Sequence, residues 1–196
     1  MEEAKKRFLM IKARHKETYE QALNQGKVDI QMQKLCSFVA ETKKYYTSSC
    51  CSGRIVLLEK KSDKKIDSYF HRKWHRTITK KELLEGFNEK VEGDLWFKVD
   101  SFILHIGTDS IENAQKIIMT MKEAGVKRGG IILAEKGKVI LEIIGTDSMS
   151  FPVKKKGKKM FENKYLEKIL GEANKILERN YTRLEKLENK FEKNLE

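Results

Sequence analysis

The stretch KKYYTSSCCSGRIVLLEK, residues 43–60, decides the fold, because helical spacing of apolar residues stops there and strand-like composition begins. Its two ends, KKYYTSS and GRIVLLEK, are rich in aromatic and β-branched residues and predict two β-strands. Between them, residues 47–54 (TSSCCSGR) combine hydroxyl groups, a glycine and an arginine. This composition predicts a loop that is either a plain hairpin turn or a polar concavity for a charged ligand.

Two amphipathic helices are predicted before this stretch. In residues 2–24 the apolar side chains recur every three or four positions, and Gly26 follows as a helix stop. Asp29 is the predicted N-cap of a second helix that continues to Val39, because aspartate oxygens accept hydrogen bonds from the first turn.

Strands and helices alternate after the stretch. Further strands are predicted in residues 69–78, 95–99, 102–107, 129–137 and 138–145, with helices after Thr79 and from Ser110 to Ala124. This order predicts an α+β fold with a mixed, largely antiparallel sheet. The strand–helix–strand order occurs twice, which suggests a duplicated unit. We predict an α+β domain that includes the N-terminal helices over residues 1–153, and over 154–196 a flexible basic run, KKKGKK, with a long amphipathic helix packed on that domain.

The net charge of +12 indicates a polyanionic partner. Residues 160–196 are neutral, so the excess lies in residues 1–159 and favours nucleic acid as the partner. The alternative is that the charge only keeps the protein soluble, in an organism whose proteins are generally rich in Lys and Glu. The chain has no long apolar run, and its first residues are too charged for a secretory signal. We therefore expect a cytoplasmic protein that does not bind membranes.

Several kinds of site are not indicated. The three cysteines form neither a disulfide framework nor a C-x-x-C pair, and we predict no metal. No G-x-G-x-x-G segment follows a strand and no P-loop is present, so the doubly wound methyltransferase or dehydrogenase fold is not indicated.

Four segments could carry chemistry, and each has a purely structural alternative. TSSCCSGR would either line a ligand site with its polar groups or supply Cys51 as a nucleophile, with His75 as its base. Residues 71–76 (HRKWHR) suit RNA contact, unless Trp74 turns into the core. His105 shares a strand face with Ile103 and is otherwise a half-buried structural histidine. Residues 125–130 (GVKRGG) border a cofactor or form a plain turn.

Together these segments resemble the wybutosine-synthesising tRNA methyltransferase family. Residues 47–54 are similar to its element Tyr-Thr-Thr-Ser-Ser-Cys-Ser-Gly-Arg, and the tryptophan–histidine pair at 74–75 is similar to another. LWFKVDSFILHIG, AGVKRGGI and EIIGTDSMSFPV resemble three more, in the same order. The chain departs from the family at Cys50 and Gly129, where serine is usual, and at residues 100–101, Asp-Ser instead of Glu-Pro.

The resemblance implies S-adenosylmethionine as methyl donor and, as acceptor, the N4 ring nitrogen of a tricyclic guanine derivative at position 37 of tRNA(Phe). It implies Arg54 and His75 as catalytic residues, Arg54 holding a carboxylate and His75 assisting the acceptor. The implied donor-binding residues are Ser49, Ser52, Gly53, His105 and Gly130. The expected RNA contacts are Arg72, Trp74, Arg76, Arg128, Lys154 and Lys155.

Three alternatives to this enzyme remain. A non-catalytic tRNA-binding module would explain the charge and the Trp/His/Arg strand. An assembly protein would associate through the C-terminal helix, whereas the enzyme hypothesis predicts a monomer. A thiol enzyme would depend on Cys51.

Overall fold

The structure is a computed structural model that describes residues 2–62 and 64–195. Within them the α-helices are α1 Glu2–Asn24, α2 Ile30–Glu41, α3 Lys80–Asn88, α4 Ile111–Glu123 and α5 Asn163–Asn194. The strands are β1 Tyr45–Cys51, β2 Arg54–Lys60, β3 Ser68–Trp74, β4 Asp94–Asp100, β5 Ile103–Thr108, β6 Arg128–Glu135, β7 Lys138–Ile144, β8 Met149–Lys155 and β9 Lys158–Lys159. A short 3-10 turn covers Lys65–Asp67. Every described helix is too short or too polar to span a bilayer.

The chain forms two compact units, each built from separate segments. The first unit comprises Met1–Ser52, Phe102–Thr146 and Tyr181–Glu196, and the second comprises Gly53–Ser101 and Asp147–Asn180. The long helix α5 therefore contributes residues to both units.

The first unit contains a four-stranded sheet in the order β1-β5-β7-β6, and all its described pairs are antiparallel. The predicted alternation in FILHIG is confirmed: Phe102, Leu104 and Ile106 are fully buried. They belong to a core that also contains residues of α2 and α4 and the end of α5. Ile103 and His105 lie on the opposite face and remain partly exposed. The sheet thus has a core face and a face that carries polar groups.

The second unit contains a five-stranded sheet in the order β3-β2-β4-β8-β9, also antiparallel in its described pairs. Leu95, Phe97 and Val99 alternate along β4 and are fully buried. Helix α3 begins with the predicted capping box, in which Thr79 and Glu82 exchange side-chain-to-backbone hydrogen bonds. Because Thr79 satisfies a free backbone N–H of the first turn, α3 starts at a defined residue.

The α+β class and the long C-terminal helix are confirmed, but two local predictions are wrong, the loop at TSSCCSGR and the flexible run at KKKGKK. TSSCCSGR is not a loop, since β1 includes Cys51 and β2 starts at Arg54. The two strands form no hairpin, because β1 pairs with β5 and β2 with β3 and β4. The run KKKGKK is not flexible chain: it forms the end of β8, a turn and β9.

Asp29 occupies the predicted N-cap position of α2, but its side chain does not act as predicted. It makes no capping hydrogen bond. Its Oδ2 atom instead accepts hydrogen bonds from the backbone N–H and the hydroxyl of Ser52, at 2.8 and 3.0 Å. The carboxylate thus fixes the end of β1.

Candidate functional site

Four residues form one row across the sheet of the first unit. Ser49 of β1 lies opposite His105 of β5, His105 opposite Glu142 of β7, and Glu142 opposite Gly130 of β6. Side chains of directly opposed residues share one face of a sheet, so the row lies on the face opposite the core. Three of the four were predicted from the sequence as donor-binding residues; Glu142 was not.

His105 is held from both sides within this row. Its Nδ1 atom lies 2.8 Å from the Ser49 hydroxyl, and its Nε2 atom lies 3.0 Å from Glu142 Oε2. An ionised carboxylate only accepts hydrogen bonds, so Nε2 donates to Glu142. In the neutral form of the ring, Nδ1 is then the acceptor, to which Ser49 donates. Glu142 therefore fixes both the orientation and the tautomer of His105.

A cavity of about 230 Å³ lies beside Ser49 in the first unit. Its lining mixes ring, apolar and polar side chains from α1, β1 and the segment between α1 and α2: His15, Thr18, Tyr19, Ala22, Lys27, Val28, Thr47, Ser48, Ser49 and Cys50. His15 stacks on Tyr46, with ring centroids 4.8 Å apart. Burial, followed by the positive charges of Arg14 and Lys138, lowers the pKa of His15 and favours a neutral ring.

A pair of thiols also belongs to this region. The Cys36 thiol donates a hydrogen bond to Cys50, which stabilises the Cys50 thiolate and lowers the pKa of Cys50. The same hydrogen bond, together with burial, raises the pKa of Cys36 well above its usual value. Cys50 replaces the serine that the family resemblance leads one to expect, and it still takes part in a polar contact.

Ser52 and Gly53 connect the two units along the chain. Ser52 is fully buried and donates both its backbone N–H and its hydroxyl to Asp29. Gly53 has a φ angle of +98°, which favours glycine because side chains with a Cβ atom rarely adopt it. This pair therefore sets where β1 ends and where Arg54 begins β2.

Arg54 starts β2 in the second unit and has two partners there. Its Nε atom donates to Asp100 Oδ2 at 2.9 Å, and its guanidinium carbon lies 4.6 Å from the centre of the Phe70 ring. Asp100 also contacts Lys98 at 3.2 Å. The ion pair and the ring hold the guanidinium plane, so Arg54 is an oriented cation.

The residues expected to contact RNA differ in how accessible their charges are. Arg72 pairs with Glu89, and Arg76 pairs with Glu82 at 2.5 Å, yet both side chains remain about half exposed. Lys154 is 3% exposed and donates to the backbone oxygen of Glu89 at 2.6 Å. Burial lowers the pKa of Lys154. Its ammonium group thus makes a hydrogen bond inside the second unit.

The remaining predicted residues lie at strand ends. Trp74 ends β3 and His75 follows it in a bend, both partly buried. Arg128 is exposed at the start of β6, and Lys155 is exposed at the end of β8, 4.0 Å from Asp94. The first unit therefore contains Ser49, Ser52, His105, Arg128 and Gly130. The second contains Gly53, Arg54, Arg72, Trp74, His75, Arg76, Lys154 and Lys155.

Sequence reasoning missed Glu142. No short motif surrounds it, but a signal exists, because it is the only acidic residue in the strand KVILEII. It lies between Ile140 and Ile144 on the face opposite the core, where a charge needs a partner. Its pairing with His105 could be found only from the strand register.

Comparisons with known proteins agree with one another. The family model of methyltransferase TYW3 matches residues 3–193. A Thermococcus sibiricus protein named tRNA(Phe) 7-((3-amino-3-carboxypropyl)-4-demethylwyosine(37)-N(4))-methyltransferase is 32% identical over 96% of both chains. A Pyrococcus horikoshii protein of the same name, numbered 1, is 34% identical over 97% of this chain and 94% of its own.

Solved structures show the same relationship. A Pyrococcus horikoshii protein superimposes with a TM-score of 0.86 and 33% identity over 98% of this chain and 94% of its own. A hypothetical protein from Aeropyrum pernix gives a TM-score of 0.73 at 25% identity, over 84% of this chain and 98% of its own. By the extent of the family match and the identity to full-length relatives, the chain belongs to the methyltransferase TYW3 family.

Proposed function

We propose that this protein transfers a methyl group from S-adenosylmethionine to the N4 ring nitrogen of 7-(3-amino-3-carboxypropyl)-4-demethylwyosine at position 37 of tRNA(Phe). It acts in the cytoplasm, as a monomer. The proposal rests on the family and on one structural observation: the row in which Ser49 and Glu142 hold His105, with a cavity beside Ser49.

The chemistry of this row suits the proposed donor. The donor carries positive charge on its ammonium and sulfonium groups, and the Glu142 carboxylate would attract a cation bound at this row. Gly130, opposite Glu142, has nothing within 4 Å of where a Cβ would be, so the sheet surface is open there. Tyr19, Ala22 and Val28 give the neighbouring cavity an apolar part suited to a nucleoside.

In this proposal the donor, when bound, supplies a methyl group carried by a positively charged sulfur. Ser49, His105 and Gly130 line its site, and Glu142 positions His105. Ser52 and Gly53 act by fixing the chain between β1 and β2. The protein's contribution is alignment, because a reaction between two bound molecules gains most from fixed geometry.

Arg54 is assigned to the acceptor side. Its Nε atom is engaged by Asp100, and its terminal nitrogens are suited to hold a carboxylate in a fork. The acceptor base named in the relatives carries an amino-carboxypropyl arm, whose carboxylate fits this geometry. The same fork could hold the carboxylate of the donor.

His75 is assigned to the proton of the acceptor nitrogen. That nitrogen loses a proton when it gains a methyl group, and an unprotonated imidazole nitrogen of His75 would accept it. Histidine suits this task because its ordinary pKa lies near neutral pH. Arg72, Trp74, Arg76, Arg128 and Lys155 would contact the tRNA, while Lys154 acts through the packing of its own unit.

The test combines two measurements. Calorimetric titration with S-adenosylmethionine measures binding of the donor, and mass spectrometry of tRNA nucleosides measures methylation after incubation with tRNA that carries the demethylated base. We expect binding and a mass gain of one methyl group, both weakened by Ser49→Ala. An exposed serine outside the row, Ser148→Ala, is the control. Binding of tRNA without affinity for the donor would instead support a non-catalytic module.

A further inference from the structure

The sheet of the second unit has an apolar row on the face opposite its core. Phe70 of β3 lies opposite Leu58 of β2, Leu58 opposite Trp96 of β4, and Trp96 opposite Pro152 of β8. Their neighbours along β4, Leu95 and Phe97, point into the core and are fully buried. The row itself is partly exposed, and Phe70 has 47% of its surface accessible. Phe70 and Trp96 lie two strand spacings apart, roughly 10 Å.

Cations surround both rings of this row. Arg54 lies 4.6 Å and Lys73 5.4 Å from the centre of the Phe70 ring. Lys60 lies 4.5 Å from the centre of the Trp96 ring. These contacts fix the cations around the apolar row. A protein-docking patch is typically poor in lysine at its centre, so the arrangement favours a partner that combines flat rings with negative charge.

A lysine-lined cleft of about 450 Å³ adjoins Trp96. Its lysines lie at and just after the ends of β2 and β8: Lys60, Lys61, Lys155 and Lys156. The cleft also contains Glu92, which pairs with Lys61 at 2.8 Å, and Asp94, which accepts the backbone N–H of Lys156 at 2.8 Å. Four cations against two carboxylates leave the cleft positive, as a phosphate site requires.

We propose that this face, with Phe70 and Trp96 as its two stacking rings and the lysine cleft beside them, binds an unpaired stretch of the substrate tRNA. Aromatic rings on an antiparallel sheet stack unpaired bases, and neighbouring cations bind the backbone phosphates. Unpaired nucleotides satisfy both features, whereas a duplex keeps its bases stacked inside. The inference rests on the proposed function, because tRNA is the RNA it invokes. Arg54, which contacts Phe70, places the proposed catalytic arginine at the edge of this face.

The test measures affinity for the anticodon stem–loop of tRNA(Phe) by fluorescence anisotropy, over a range of salt concentrations. Loss of one stacking ring should weaken binding roughly 5- to 150-fold, so we expect this range for Phe70→Ala and for Trp96→Ala. Trp96→Phe should restore most of the affinity. Because neither change removes a cation, the slope of log Kd against log salt should stay constant, whereas Lys156→Ala should reduce it by about one.

Two control variants match the changes away from this face. Tyr165→Ala removes a ring of α5 that is 48% exposed, and Lys81→Ala removes an exposed lysine of α3. Both should bind the stem–loop like the wild type. Trp96 and Trp74 are the two tryptophans of the chain, so bound bases should quench the tryptophan fluorescence of the wild type more than that of Trp96→Phe.

Each outcome decides between the inference and the function on which it rests. If the wild type methylates tRNA but Phe70→Ala and Trp96→Ala bind the stem–loop unchanged, the inference is wrong and the proposed function stands. If the wild type binds the stem–loop through this face but does not bind S-adenosylmethionine, the inference stands and the methyl-transfer proposal fails. Equal loss in Tyr165→Ala would show that the effect is not specific to this face, and would also overturn the inference.

Discussion

Arg54→Ala is expected to separate catalysis from folding. On the activity side, the variant loses two charge-assisted hydrogen bonds to a carboxylate, each worth about 1.5–3 kcal/mol. Since the Arg54 side chain is 29% exposed, the lower value of about 1.5 kcal/mol applies to each of the two hydrogen bonds. A loss of about 3 kcal/mol lowers kcat/KM by roughly 150-fold.

The cost to stability should be small. The ion pair with Asp100 is partly exposed on both sides and contributes about 0.5 kcal/mol. The contact with Phe70 adds about 0.5–1 kcal/mol. Asp100 keeps Lys98 as a partner at 3.2 Å, so the substitution leaves no isolated carboxylate. A total of about 1–1.5 kcal/mol corresponds to a fall in Tm of roughly 3–5 °C.

The assay follows nucleoside methylation under kcat/KM conditions, with thermal unfolding of the same samples. Arg179→Ala is the matched control, because Arg179 also lies in the second unit and pairs through Nε with Asp147 at 3.2 Å. Arg54→Lys keeps the charge but not the fork, and should recover only part of the rate. Turnover of Arg54→Ala within threefold of the wild type, or an equal loss in Arg179→Ala, would refute the assigned role.

Three further predictions follow from single contacts. Glu142→Gln removes the charge that holds His105 and should weaken S-adenosylmethionine binding about 10-fold in calorimetry, since a charged hydrogen bond exceeds a neutral one by about 1.4 kcal/mol; unchanged binding would contradict this. Lys154→Met should cost about 1–2 kcal/mol in denaturant unfolding by leaving a buried carbonyl unpaired, without changing the salt slope of tRNA binding. The hydrogen bond with Arg76, then those with Thr79, lower the pKa of Glu82 from 4.5 to about 2. Its stabilisation is therefore complete above pH 4.5 and lost as the pH falls through about 2, so the Tm difference between wild type and Glu82→Gln should vanish in that range.

Local signals in the sequence predicted the elements well. The capping box at Thr79 and the helical spacing of residues 111–123 are fixed by contacts within one or two turns, so the chain shows them directly. The turn at Gly137, with φ +72°, joins β6 and β7 as predicted from Lys136-Gly137. Such features depend on neighbours in sequence, and tertiary packing did not override them.

The arrangement of the strands could not be predicted in this way. Residues 52–53 look like a hairpin turn in the sequence. Strand pairing depends on the apolar faces of distant strands, however, and β1 pairs with β5 while β2 pairs with β3. Asp29 looks like a helix cap, but Ser52, 23 residues away, offers it two donors. The division at residues 153–154 stays a prediction about domains, although the compact units divide the chain at other points.

The charges were the least predictable part of the candidate site. Six residues were expected to face RNA, yet Lys154 is turned inward and Arg72 shares Glu89 with His71. The sequence shows how many cations there are, but the partners of Arg72, Lys154 and Lys155 lie 17 or more residues away. An excess of +12 is therefore good evidence for the class of partner and poor evidence for the residues that meet it.

The donor site proposed here needs no glycine-rich loop, because an antiparallel sheet can supply an equally fixed array. Opposed residues in such a sheet have Cβ atoms about 4.5–5.5 Å apart, so one hydrogen-bonded row places a hydroxyl, an imidazole, a carboxylate and an open glycine at regular intervals. Each comes from a different strand, so the row exists only when the register is correct. A one-residue slip of β7 would turn Glu142 into the core and bring Leu141 or Ile143 opposite His105. The folding of this sheet and the chemistry of the row are thus fixed by the same register.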